Sequence, residues 1–225
     1  MIPLSSEDVE AITREIELVG RRAIKFQNYV LRRAWGIYYA VWSLAIFLYG
    51  FVPFVVHALA PTYGYSALFY IVIYAVIGGL AGWVTMVNFS KAWRTIRLRR
   101  ALDYPKRSSA APRISLFFAI FFGYFASFYL AQYFFGLGGE ALTYALLFSV
   151  SIYVYVWLKR SFEKAPVEGL LACVSYGSAS IVSVYAVIAR LDLLITISWS
   201  LTILVWVFAS IYALYRAPEE MVNDD

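Results

Sequence analysis

The sequence predicts an all-α protein, a polytopic transmembrane bundle of six helices with an amphipathic cytoplasmic helix at its N-terminus. Three observations predict this fold class. The chain of 225 residues is 62% hydrophobic with a mean hydropathy of +0.70, its apolar residues form six long stretches, and its basic residues lie almost entirely in alternate links. A core of this size cannot bury so much apolar surface. The composition therefore excludes an ordinary soluble domain and indicates that lipid solvates much of the chain.

The six apolar stretches are each long enough to cross about 30 Å of hydrocarbon as a helix, which takes about 20 residues. Lipid cannot satisfy backbone hydrogen bonds, so helices are expected, and long unbroken apolar runs exclude a barrel of short alternating strands. Pro53 is expected to kink the first span or to mark its last turn. The predicted spans are Ala34–Leu59, Ser66–Phe89, Ile114–Phe135, Ala141–Leu158, Gly169–Ala189 and Leu193–Tyr215.

The distribution of positive charge predicts the topology. Of the 19 Lys and Arg residues, only Arg190 falls in a link assigned to the outer side. Basic residues are retained on the cytoplasmic side of membrane proteins. We therefore predict a multi-pass protein of the cell membrane with both termini in the cytoplasm. Residues 1–33 form the N-terminal helix, residues 34–215 the membrane domain, and residues 216–225 the tail.

The N-terminal segment has the pattern of an amphipathic helix. Ser5 and Asp8 form a predicted capping box, and the apolar residues behind them alternate in spacings of three and four, which is a heptad seam. One interpretation is a helix on the membrane surface or under its own bundle. The other is a coiled coil with a second copy or another protein, so residues 9–30 are a candidate partner surface. The seam consists of Val9, Ile12, Ile16, Val19, Ala23, Phe26 and Val30.

The second inner link, residues 90–113, is strongly basic. From Lys91 to Arg113 it holds eight basic residues and a single acid, Asp103. The favoured interpretation is a topological signal whose charge rests on anionic lipid headgroups. The alternative is that residues 91–113 dock a cytoplasmic ATPase or another acidic protein. Specific nucleic-acid binding is not expected, because no base-reading module accompanies the charge.

Residues that carry chemistry are scarce in the predicted spans. No Asp, Glu, Lys or Arg falls in a span interior, where an ionisable group would indicate function. His57 is the single histidine and Cys173 the single cysteine, and neither has the neighbours that a metal or catalytic site needs. We therefore expect no catalytic residue, no cofactor and no metal, and do not expect an enzyme. Four charged residues at span ends are interpreted as helix caps that complement the helix dipole, namely Glu140, Glu168, Arg190 and Asp192.

Small residues at helical spacing predict close helix packing. The pairs or triplets are Gly78 with Gly82, Gly123 with Ser127, and Gly169 with Cys173 and Gly177. The hydroxyls of the fifth and sixth spans are expected to form interhelical hydrogen bonds, and the alternative is a weakly polar cavity that accepts a small or amphipathic solute. These hydroxyls belong to Ser175, Ser178, Ser180, Ser183, Thr196, Ser198, Ser200 and Thr202.

The third span is dense in aromatic side chains between Phe117 and Phe135. Aromatic rings can cage a cation. Because no carboxylate accompanies them within the spans, lipid contact and helix packing are the favoured interpretation.

Two function classes are compatible with these observations. The first is a non-catalytic subunit or scaffold of a membrane complex. The second is the membrane-spanning component of a transporter energised by a separate ATPase. An amphipathic N-terminal helix, six spans and cytoplasmic termini form a layout similar to the permease half of ABC-2 type exporters. The link from Arg190 to Asp192 departs from that family, because it is too short for the re-entrant segments expected there.

Overall fold

The computed structural model describes residues 6–63, 67–99, 111–162 and 164–222, and these ranges are almost entirely helical, with no strand among them. Within the described residues, five of the helices are long and apolar enough to cross a membrane by length and composition. The predicted third span corresponds to α3, whose side chains before residue 122 lie outside the described part of the chain. The elements are α1 (Ser6–Tyr63), α2 (Ala67–Arg99), α3 (Ala111–Phe135), α4 (Leu137–Phe162), α5 (Val167–Ala189), α6 (Asp192–Arg216) and α7 (Glu219–Val222).

Helix α1 differs from the prediction, because it joins the N-terminal helix and the first span in one unbroken element. It has 58 residues, about 87 Å at 1.5 Å per residue. The predicted boundary between residues 33 and 34 is therefore not a break in the helix. Pro53 does not mark the last turn, since α1 continues to Tyr63.

The basic link is largely helical where it is described. Residues 90–99 extend α2, and residues 111–113 begin α3. The other residues of this link, 100–110, lie outside the described ranges, as does Ser5 of the predicted capping box. Positive charge at this end of the bundle is thus carried partly on extensions of the apolar helices.

The six long helices form a ring in chain order. Each packs against the next, and α6 packs against α1, which closes the ring. Gly136 makes the turn between α3 and α4 in a left-handed conformation (φ 55°), which glycine adopts without steric cost. Arg190 likewise caps α5 in the left-handed region, so the prediction that it closes the fifth helix is confirmed.

The core lies toward one end of the ring, which we call the basic end because Arg32, Lys91, Lys159 and Arg216 lie there. Trp35 packs edge to face on Phe89 of α2 and on Trp157 of α4, with ring centroids 5.0 and 5.5 Å apart. Such pairs add to the free energy of burial. The other end of the ring, where Glu140 and Asp192 lie, is called the opposite end.

Small residues on α5 permit a close approach to its neighbours. A Cβ added to Gly169 would lie 2.4 Å from Leu158 and 2.8 Å from the Tyr39 hydroxyl, and one added to Gly177 would lie 2.9 Å from the Ser151 hydroxyl. The predicted packing role of these glycines is confirmed. The same prediction for Gly123 is wrong, because an added Cβ there would meet nothing within 4 Å.

The heptad seam of the N-terminal segment is not covered by the bundle. Ile12, Val19 and Phe26 are 47%, 66% and 45% exposed, so these residues do not pack under the six-helix ring as one interpretation had it. The side chains of Val9 and Ile16 lie outside the described residues. Val30, at the end of the seam, is the member that packs against the core.

Candidate functional site

A cavity of about 1070 Å³ occupies the ring between its middle and the opposite end. All six long helices contribute to its wall, and among the described residues none of the lining side chains is charged. More than half of the lining residues are aromatic. They are Tyr38, Trp42, Phe47, Tyr49, Phe51, Phe54, Tyr70, Tyr74, Tyr124, Phe125, Phe128, Tyr129, Tyr144, Tyr176, Trp199 and Trp206.

The floor of the cavity is the upper surface of the packed core. Tyr176 and Trp206 belong to both, with ring centroids 5.5 Å apart. The indole nitrogen of Trp206 donates a hydrogen bond to the Ala172 carbonyl across the α5–α6 contact, at 2.9 Å. Cys173, predicted as a packing residue, is buried and also lines the floor. A rigid aromatic floor therefore closes the cavity toward the basic end.

The aromatic residues of α3 divide between two environments. Tyr124, Phe125, Phe128 and Tyr129 line the cavity, and Phe125 stacks on Tyr74 of α2 with centroids 5.1 Å apart. Residues on the other side of α3 face away from the cavity and are exposed, among them Phe122, Leu130, Phe134 and Phe135. The expectation of lipid contact and packing thus describes only part of this helix.

The hydroxyls of α5 and α6 also differ in their surroundings, since some bond to the neighbouring helix, some to their own helix, and some line the cavity. Thr202 donates a hydrogen bond to the Ser175 carbonyl at 3.2 Å, and Ser183 accepts one from the Trp199 indole at 3.0 Å. These two confirm the predicted interhelical bonds. By contrast Ser180 and Ser198 donate to carbonyls of their own helices. Thr196 and Ser200 line the cavity, as the alternative interpretation had it. Ser175 donates to a carbonyl of its own helix and Ser178 is exposed.

Tyr49 offers a polar atom that the protein itself leaves unused. Its side chain lines the cavity, and its phenol oxygen is buried without a hydrogen-bond partner among the described residues. An unpaired buried hydroxyl costs free energy, about 1–3 kcal/mol. Because the oxygen itself is buried rather than exposed to the cavity, its missing partner is a cost to the folded protein.

Two carboxylates lie at the opposite end, outside the lining of the cavity but close enough to the lining residue Tyr144 to interact with it electrostatically, and we call this position the rim. Glu140 lies in the first turn of α4 and Asp192 in the first turn of α6, as predicted. Their charges are close enough to interact, and Glu140 shares a side-chain hydrogen bond with Gln132, which lines the cavity. Sequence reasoning placed both residues at helix ends but did not relate them to a common opening.

A second polar cluster lies at the basic end, and sequence reasoning missed it. The Arg32 guanidinium donates to Glu168 Oε1 at 3.0 Å and also pairs with Glu220 of α7. Glu168 is only 4% exposed, and its other oxygen has no hydrogen-bond partner among the described residues. Glu168 lies in the first turn of α5, as predicted, and it also forms a buried ion pair across the bundle, which the interpretation as a helix cap did not include. A small cavity of about 290 Å³ adjoins this cluster.

The other candidate residues stay apart from the large cavity. His57 is exposed near the end of α1. Within the described ranges, His, Cys, Asp and Glu side chains form no group of three that could hold a metal ion. No protein-family model, curated protein or solved structure matches this chain. The aromatic cavity is consequently the feature on which a functional proposal rests.

Proposed function

We propose that this chain is a non-catalytic integral membrane protein that binds an amphipathic organic solute in the aromatic cavity and serves as the membrane component of a transport system. The observation that carries the proposal is the cavity itself. Its volume of about 1070 Å³ is at the upper end of the range of small-molecule sites, which are mostly apolar with a few placed polar groups.

The position of the cavity supports a solute that enters from one side. Packed aromatic rings close it at the basic end, while Phe51 and Phe54 line it yet are 49% and 74% exposed. With six spans and the charge asymmetry of the sequence, we propose a location in the cell membrane with the basic end in the cytoplasm. The cavity then opens toward the outer half of the membrane.

A cavity-filling substitution tests solute binding. Gly50 lines the cavity, and a Cβ added there meets nothing within 4 Å, so Gly50→Phe places a ring in the cavity without a backbone clash. Trp42, Trp199 and Trp206 line the same space and report occupancy by fluorescence. We expect neutral aromatic amphiphiles to quench the purified protein's fluorescence saturably. Gly50→Phe should weaken their apparent affinity about tenfold or more.

The matched control is Gly123→Phe. Gly123 also accepts a Cβ freely but does not line the cavity, so its variant should bind like the original protein. Equal binding by the original protein and both variants, or no saturable binding to the original protein, would contradict the proposal.

A second candidate function, a subunit or scaffold of a membrane complex, is favoured by the uncovered seam of α1. Ile12, Val19 and Phe26 lie at heptad spacing on one helix face and are exposed. An apolar seam of this kind is usually buried against another helix. We propose that a second copy of the chain covers it, and a cytoplasmic protein, such as an ATPase of a permease, is the other possible occupant.

Substitutions on and off the seam test whether the seam of α1 binds a partner. Val19→Asp places a charge in the seam, whereas Leu18→Asp makes the same change at a neighbouring exposed position, 54% exposed, off the seam. Mass determination in detergent should show a dimer for the original protein and for Leu18→Asp, and a monomer for Val19→Asp. A monomer for the original protein would exclude self-association, and a dimer that survives Val19→Asp would place the contact elsewhere.

A further inference from the structure

We infer that the solute bound in the aromatic cavity is a lipophilic organic cation, selected by Glu140 and Asp192 at the rim. This inference rests on the proposed function, because it names the ligand class of the same cavity. It also departs from the interpretation of the aromatic residues as packing and lipid contact alone, since Glu140 and Asp192 supply carboxylates at the open end of the cavity that those rings line.

Helical spacing places both carboxylates on the cavity side of their helices. Residues four apart lie on one face of a helix. Glu140 is four residues before Tyr144, and Asp192 is four before Thr196, and both of these later residues line the cavity. Gln132 of α3 lines the cavity too and hydrogen-bonds Glu140, which ties the carboxylate to the rim.

The balance of charge at this end is negative. Among the described residues of the links here, the charged side chains are Glu140, Arg190 and Asp192. Arg190 caps α5 and is exposed, so it offsets one of the two carboxylates at most. The positive dipole ends of α2, α4 and α6, which begin here, are balanced by the negative dipole ends of α1, α3 and α5, which end here. A net negative rim attracts cations and repels anions on their way into a cavity with apolar walls.

The wall itself suits a cation better than a neutral hydrocarbon. Eight tyrosines and three tryptophans line the cavity, and the faces of these rings attract cations, most strongly where water is excluded. The lining thus combines apolar surface with ring faces that attract a cation.

Three probes of similar shape and different charge test the inference. Equilibrium dialysis of the full-length protein in a neutral detergent, corrected with protein-free micelles, would measure binding of tetraphenylphosphonium, triphenylphosphine oxide and tetraphenylborate. We expect the cation to bind about tenfold more tightly than the neutral oxide, and the borate to bind most weakly. Raising the ionic strength should reduce the differences in affinity among the three probes, because salt screens the rim charges.

The second part of the experiment removes the carboxylate charges at the rim. Glu140→Gln combined with Asp192→Asn should lower the ratio of cation to neutral affinity about threefold to tenfold. The control, Glu10→Gln combined with Glu17→Gln, removes the same charge from exposed positions of α1 far from the cavity and should leave the ratio unchanged. The ratio is independent of any general loss of folded protein.

The possible results separate the inference from the proposed function. Saturable binding of the neutral probe with no preference for the cation would overturn the inference and leave the cavity as a site for neutral solutes. A preference for the cation that the rim variant retains would also overturn it, because Glu140 and Asp192 would not be its source. Failure of all three probes to bind would contradict the proposed function as well.

Discussion

Trp35 and Phe89 at the basic end lie edge to face with centroids 5.0 Å apart inside the core, whereas Tyr74 and Phe125 are nearly as close, at 5.1 Å, but line an open cavity. The same class of side chain fills space in one half of the ring and surrounds it in the other. At the basic end Trp35, Tyr39 and Leu158 are at most 1% exposed. Aromatic content therefore does not by itself indicate packing or binding.

The two ends also use charge differently. At the basic end, Glu168 is buried and paired with Arg32, so its charge is neutralised within the protein. At the opposite end Glu140 is half-buried and Asp192 is exposed, so their charge remains available to a ligand. The first arrangement fixes helices to one another and the second leaves an opening. The following substitutions test this contrast, beginning with the largest expected effect.

The buried ion pair should give the largest loss of stability. Arg32→Met leaves the Glu168 carboxylate without its guanidinium partner, and breaking a buried pair in this way costs about 3–5 kcal/mol. Equilibrium unfolding in mixed detergent micelles would measure the free energy of unfolding. Adding Glu168→Gln to that variant should restore most of the loss. Asp192→Asn, at an exposed position of the opposite end, should change the free energy of unfolding by less than about 0.5 kcal/mol. A similar loss from Arg32→Met and Asp192→Asn would contradict the different use of charge at the two ends.

Adding a methyl group should also distinguish the packed basic end from the cavity, with a smaller change in stability than breaking the ion pair. Gly169→Ala places a methyl group 2.4 Å from Leu158, and overpacking a tight contact costs about 1–3 kcal/mol. Gly50→Ala adds a methyl group that meets nothing, so it should stabilise α1 by about 0.5–1 kcal/mol through helix propensity. Thermal unfolding in detergent would follow both variants. Equal effects would mean that the cavity half is as tightly packed as the core.

The smallest effect is expected at the unpaired phenol. Tyr49→Phe removes a buried hydroxyl without a partner among the described residues, so the ligand-free protein should gain about 1 kcal/mol. Tyr153→Phe is the control, since this residue is 69% exposed and its change should be near zero. If Tyr49→Phe instead destabilised the ligand-free protein, the hydroxyl would have a partner, such as a bound water, that the cavity supplies.

Prediction from sequence was most successful for the helices themselves. The apolar runs located α4, α5 and α6 within a few residues of their ends and the start of α2, although α2 continues past the predicted end at Phe89 to Arg99. The small residues of α5 indicated its close contacts. It was less successful at junctions. No breaking residue separates the N-terminal helix from the first span, and local pattern could not distinguish two helices meeting at residues 33 and 34 from one that continues.

The functional features were harder to predict, because they depend on residues distant in sequence. Arg32 and Glu168 are 136 positions apart, and each alone looks like an ordinary charge at a helix end. Glu140 and Asp192 likewise become a pair only when α6 closes the ring. The density of aromatic residues in α3 was visible, but not the division of that helix between cavity and exterior.

The sequence alone determined the helical class, the approximate extent of the helices and the concentration of basic residues at one end. These properties are local, since a long apolar run must satisfy its backbone hydrogen bonds within itself and charge is fixed by residue type. Only the tertiary structure decided that the ring is packed at the basic end and open toward the other. That outcome depends on lateral contacts among helices, where small residues permit close approach, and such contacts are set by all six helices together.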